Sequence, residues 1–208
     1  MFRYQIYTLF FSLMPLLMLA NDSIPLNEKK DSEYYFTGGF GYYTDIGGMG
    51  FFEHMESVYN GSTAWFEAGK LMKNGFNVGA RVAHGSTTMT MDSNWGIFEG
   101  QLKPSTFLTF AFIVSRPFKF GRNHEFNIGT GIMIQSEHYL SPSIYTVNYI
   151  TYVNLGSHKM LDLALDISLA YGYKFDNNFF IGFRASSAYV FAIGMSGLTL
   201  SPTIGVKF

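Results

Sequence analysis

The residues best equipped for chemistry are His84-Gly85-Ser86. On an extended chain, side chains two apart share a face, so this spacing sets an imidazole beside a hydroxyl. A nucleophile needs a base within hydrogen-bond reach and a third group to orient that base. Glu99, in the loop that follows, would have to be that third group. An interfacial His next to a loop Ser has the same spacing, so no residue is assigned a catalytic role. Asp162 and Asp166 are four apart and share a face of an extended chain, as an acid–base pair would. Together with Glu67, Arg81 and Arg184 they also read as a mixed-sign network filling a polar interior, and that is the reading adopted. His54, His124, His138 and His158 show no metal-ligand spacing with one another, and cysteine is absent. No metal site and no cofactor is expected. The absence of cysteine also removes disulfides, thiolate zinc sites and cysteine nucleophiles.

The elements that must hold these residues have a period of two. In 161–175 the odd positions are Leu161, Leu163, Leu165, Ile167, Leu169, Tyr171, Tyr173 and Phe175, and the even ones are small or charged. Successive strand side chains point to opposite faces, so one face is wholly apolar and the other polar. The same alternation runs through 198–208, where Leu198, Leu200, Ile204, Val206 and Phe208 oppose Thr199, Ser201, Thr203, Gly205 and Lys207. It recurs in 179–191, 126–137 and 76–85, and more weakly in 107–116, 63–72 and 34–43. These are eight strands, longer than the 5–6 residues usual in globular sheets. The positions read as inward are Glu67, Arg81, Glu137, Asp162, Asp166, Arg184 and Lys207.

Composition agrees. The 208 residues are 14% charged and 18% aromatic, with 22 Gly, whereas soluble surfaces carry about 25–35% charge. The formal net charge of −1 makes a nucleic-acid partner unexpected. Residues 1–20 have one early cation, Arg3, then an apolar stretch ending at Ala20. They read as a secretory signal peptide, too short in its apolar core for a spanning helix. Residues 21–33 follow as a periplasmic tail.

The connections alternate between short and long. Short joins are expected at Lys73-Asn74-Gly75, at Asp176-Asn177-Asn178 and as a basic turn between 116 and 125. Longer ones are expected at about 44–61, 86–105 and 140–159, with a shorter one near 192–197. The segment 144–155 is read as a loop or a strand extension above the membrane. Because Met72 and Phe76 both belong to the apolar face, three residues must separate them, with Gly75 in the left-handed region. That register places Glu67 opposite Arg81 and predicts an ion pair between them. Asn178 takes the left-handed place in the second turn. The first long loop holds Asp45, Glu53 and Glu56.

On these residues the chain resembles the small bacterial outer-membrane β-barrels of the OmpA/OmpX type. The resemblance implies an all-β, eight-stranded antiparallel transmembrane barrel over 34–208, in the outer membrane of a Gram-negative envelope. It implies lipid partners, and recognition of the last strand through Phe208, Val206 and Ile204 by the barrel-assembly machinery. Pro202 departs from the pattern; it cannot donate a ladder hydrogen bond, so a bulge or strand irregularity is expected there. Some barrels of this kind deacylate lipid A with a lipid-facing His-x-Ser and a Glu on a neighbouring strand, which His84, Ser86 and Glu99 resemble; an Asn after the Ser in that group is Thr87 here. The expected function is non-enzymatic, structural, adhesive or partner-binding through extracellular loops. The alternatives are a deacylase-like enzyme and a narrow pore.

Overall fold

Eight strands follow in sequence: β1 (Tyr34–Thr44), β2 (Glu56–Leu71), β3 (Asn77–Asp92), β4 (Ser105–Phe120), β5 (His124–Val147), β6 (Ile150–Lys174), β7 (Phe179–Val190) and β8 (Gly194–Lys207). Each pairs antiparallel with the next, and β1 pairs with β8 to close the barrel. The structure, a computed structural model, describes residues 33–44, 56–92, 105–147, 150–175, 178–191 and 194–208. The signal peptide at 1–20, the tail apart from Glu33, and Glu99 lie outside the described residues.

The alternation read from the sequence sorts the side chains. Leu161, Phe110, Ile132 and Ile204 are 73%, 56%, 60% and 54% exposed on the outside, while Glu67, Arg81, Asp166 and Arg184 are buried inside. Apolar exposure of this extent, on every strand, marks a lipid-facing belt. Closure satisfies the backbone polar groups that a bilayer cannot. A polar row bounds the belt at one end, where Ser62, Ser86, Thr106, His138 and Lys159 are mutual register partners. Aromatic rings bound it at the other: Tyr34, Phe36 and Phe208 stack along the β1–β8 seam. On β4 the belt runs from Thr106 to Arg116, matching the roughly 9–11 residues a tilted strand needs to cross.

The short turns close as their residues dictate. Met72 and Phe76 are joined by a backbone hydrogen bond (2.7 Å), Gly75 donates to Met72, and Gly75 sits at φ 83°. The 175–179 turn repeats this, with Asn178 at φ 66°. A left-handed conformation costs an ordinary L-residue roughly 1–2 kcal/mol. Gly75→Ala, which meets no atom within 4 Å, is therefore expected to lower stability by about 1 kcal/mol. Urea titration in lipid measures this, and an unchanged midpoint would refute the turn assignment.

The structure refines or corrects several expectations. The ladder shifts register between Ser187 and Ala188, opposite Gly197 at φ 52°, and not at Pro202, which pairs in register with Phe183. The irregularity expected at Pro202 lies on its other side: β1 pairs with β8 from Tyr35 to Gly39 and again from Tyr42, but not at the intervening positions facing Pro202 and Ser201. The basic turn near 116–125 is tighter than expected, because β4 continues through Pro117 to Phe120 and turns on Gly121-Arg122-Asn123. Pro117 is tolerated because β3 pairing ends at Ser115, so its missing N–H has no ladder to serve. Strand shortens the expected long loops: β2 begins at Glu56 and β3 reaches Asp92, while 45–55 and 93–104 lie outside the described residues. Of the two readings of 144–155 the strand extension holds, in a β5–β6 hairpin paired up to Val147 and Ile150, with 148–149 outside the described residues.

Candidate functional site in the barrel lumen

Inside the barrel, β2, β3, β6 and β7 each contribute one charge to a central layer. Glu67 lies opposite Arg81 in the β2–β3 register, as expected. Their ion pairs, however, cross the lumen. Arg184 Nη1 donates to Glu67 Oε2 at 2.6 Å, and Arg81 pairs with Asp166. The expected Glu67–Arg81 bridge is thus replaced by two longer-range ones. The eight strands project their inward side chains toward a common axis, so a long guanidinium meets a carboxylate across the barrel as readily as one beside it.

The surroundings hold the pairs in place. Tyr35 Oη donates to Glu67 Oε1 at 2.9 Å, and Arg184 Nη2 donates to Ser168 Oγ at 3.0 Å. The Arg184 guanidinium lies 4.9 Å from the Trp65 ring, whose Nε1 donates to Ser201 Oγ at 2.9 Å. Buried charges persist only when paired and hydrogen-bonded, and here two cations meet two anions. Asp166 Oδ1 and Arg184 Nε have no hydrogen-bond partner. Sequence reasoning missed Tyr35 and Trp65, although both share the inward parity of Thr37 and Glu67. Asp162 does not join: it is half-buried opposite Gln135, and it makes none of the ion pairs among the described residues.

Two cavities flank this layer, of about 70 Å³ and about 50 Å³. Trp65 lines both. A water needs roughly 10–15 Å³ of such space, so each has room for several waters. Toward the polar row, Tyr43 and Phe107 pack with ring centroids 4.7 Å apart. An apolar sector of Ala111, Ile113, Met133, Ala164 and Val190 fills the β4–β7 side. At the opposite mouth Lys207 donates to both oxygens of Glu125 at 2.6 Å. Lys207 faces inward as expected; its partner Glu125 lies one residue before Phe126, where the legible alternation begins.

Outside, His84 is exposed on the lipid-facing side between Ala64 and Leu108, and Ser86 lies two positions on, in the polar row. A different His–Ser pair is in contact: His138 Nε2 lies 2.7 Å from Ser157 Oγ. No cluster of three or more metal-ligating side chains occurs among the described residues.

No protein-family model and no curated protein sequence matches the chain. Solved structures do. Neisserial surface protein A superposes with a TM-score of 0.56 at 13% identity, over 86% of this chain and 100% of that one. A major outer membrane protein from Thermus thermophilus gives 0.52 at 13%, over 86% and 100%. OprG from Pseudomonas aeruginosa gives 0.51 at 12%, over 86% and 97%. In closure, strand number and lipid-facing belt, the chain has the fold of the small eight-stranded bacterial outer-membrane β-barrels.

Proposed function

We propose that this is a non-enzymatic surface barrel of the bacterial outer membrane, with a structural, adhesive or partner-binding role carried by its outer end, and not a channel. The observation that carries the reading is the closed lumen. Crossed ion pairs, Trp65 and the apolar sector occupy the middle of the lumen, between the two cavities that Trp65 borders. Beyond the belt extend the β2–β3 ladder, up to Glu56 and Asp92, and the longer β5–β6 hairpin. The hairpin's strands have 24 and 25 residues, where about 9–11 suffice to cross. From Tyr139 and His158 to Val147 and Ile150 the two strands stay paired beyond the polar row. A paired hairpin raised on a closed barrel suits partner binding. With eight strands both ends of the barrel segment lie on the short-turn side, which is taken as periplasmic.

The test is planar-bilayer recording on the purified barrel. No steady conductance steps are expected, because large side chains fill an interior of this width. Steady steps in wild type would overturn the closed-lumen reading. The same sample, incubated with lipid A and examined by mass spectrometry, should leave every acyl chain in place. Loss of an acyl chain with wild type but not with His84→Ala would overturn the non-enzymatic reading.

A further inference from the structure

The short-turn end carries a one-sided set of cations at the edge of the lipid-facing belt. Lys70 on β2 holds its Nζ 5.0 Å from the Tyr34 ring centroid. Arg116 on β4 is buried against rings, its guanidinium 5.5 Å from Phe76 and 5.6 Å from Phe118. Both residues continue the outward parity, just past Ala68 on β2 and Val114 on β4. Lys73 and Arg122 stand exposed on the neighbouring β2–β3 and β4–β5 turns. The two acids at this end among the described residues, Glu33 and Glu125, line the mouth of the lumen, which Arg122 borders as well, and Glu125 is held by Lys207. The outside of the β2–β5 sector therefore combines Lys70, Lys73, Arg116 and aromatic rings with no acid among the described residues, and Arg122 stands at its border with the lumen mouth.

We propose that this face seats the headgroups of anionic phospholipids. Lys73 and Arg122 meet the phosphate, while Lys70 and Arg116, braced on rings, set its level. The rings are continuous with the belt, so an acyl chain has its place directly beside the headgroup site; a soluble anion would use only half of this arrangement. Aromatic rings settle at the membrane interface, and long cationic side chains lay their stems along apolar surface with the charge in the headgroup layer. The proposal rests on the transmembrane reading, and its test separates the two.

The full chain, reconstituted in phosphatidylcholine vesicles with a minor fraction of phosphatidylglycerol, is examined by native mass spectrometry for retained lipid. Preferential retention of phosphatidylglycerol is expected. Each cation removed should weaken the preference about fivefold, from the roughly 1 kcal/mol that one contributes at an anionic surface. Lys73→Gln with Arg122→Gln should therefore reduce it about 25-fold, and Lys159→Gln, at the other end, should leave it unchanged. Equal retention of both lipids by wild type would overturn the proposal, as would an unaltered preference in the double variant. Binding of peptidoglycan fragments that the double variant loses, with no lipid preference in wild type, would also overturn it and assign the cations to the cell wall. Heat-modifiable gel migration in the same vesicles reports separately whether each variant has inserted and folded. Should the double variant fail to fold, wild type in high salt supplies the second measurement, because screening must weaken an electrostatic preference; a salt-insensitive one overturns the proposal.

Discussion

Arg184→Met is expected to lower the barrel's unfolding free energy by about 3–5 kcal/mol, the usual loss when one partner of a buried ion pair is removed. Arg184 is the hub of the lumen. It neutralises Glu67, bonds Ser168 and stacks on Trp65. Without it Glu67 keeps Tyr35 as a donor but faces no cation at bonding distance among the described ion pairs. Adding Glu67→Leu should recover much of the loss, since replacing a whole buried pair by apolar groups is often close to neutral. Arg81 and Asp166 should behave as a second unit. A double-mutant cycle isolates each coupling. Reversible urea unfolding in lipid vesicles reads it, and the Glu67–Arg184 coupling must exceed that of Glu67 with Arg81. Equal couplings would restore the neighbour pairing that the register alone implied.

That register shows how far the chain can be read without its fold. Parity around Met72 and Phe76 is enough to place Glu67 opposite Arg81, because a strand has only two faces and one of them must meet lipid. Partner choice is beyond it. Which strand lies across the lumen depends on closing the whole sheet, and local alternation carries no information on that. The same limit applies to Pro202 and Gly197. Proline's missing N–H correctly marks a weak place in the ladder, but the register shift falls at Gly197, where a left-handed residue can absorb it. The strand extension over 144–155 is legible only as one of two readings, since no lipid-facing side commits its alternation there. The sequence places the lipid-facing His84 on the outside correctly. The contact between His138 and Ser157 is out of reach, because it joins two strands diagonally beyond the belt.

Phe208→Ala is expected to remove about 1–3 kcal/mol, from two ring pairs at about 0.5–1.5 kcal/mol each. The ring lies 6.4 Å from Tyr34 and 5.6 Å from Phe36, and Phe36 stacks in turn on Phe66 at 5.8 Å. Its backbone exchanges two hydrogen bonds with Tyr34, of 2.8 and 2.9 Å, which fasten the β1–β8 seam. Alanine preserves that backbone pair, so the substitution tests the ring alone. Val206 and Ile204 continue the lipid-facing line beside it. Two measurements divide the roles. Urea titration of the refolded variant in vesicles gives the seam's own contribution. The heat-modifiable fraction in isolated outer membranes adds recognition by the assembly machinery, the role we propose for Phe208, Val206 and Ile204. A cellular loss much larger than the midpoint shift explains supports recognition; a loss that only matches it reduces Phe208 to a seam residue. Unchanged values in both would remove Phe208 from either role, because a ring stacked on two neighbours at the closing strand cannot be deleted without effect if closure or recognition depends on it.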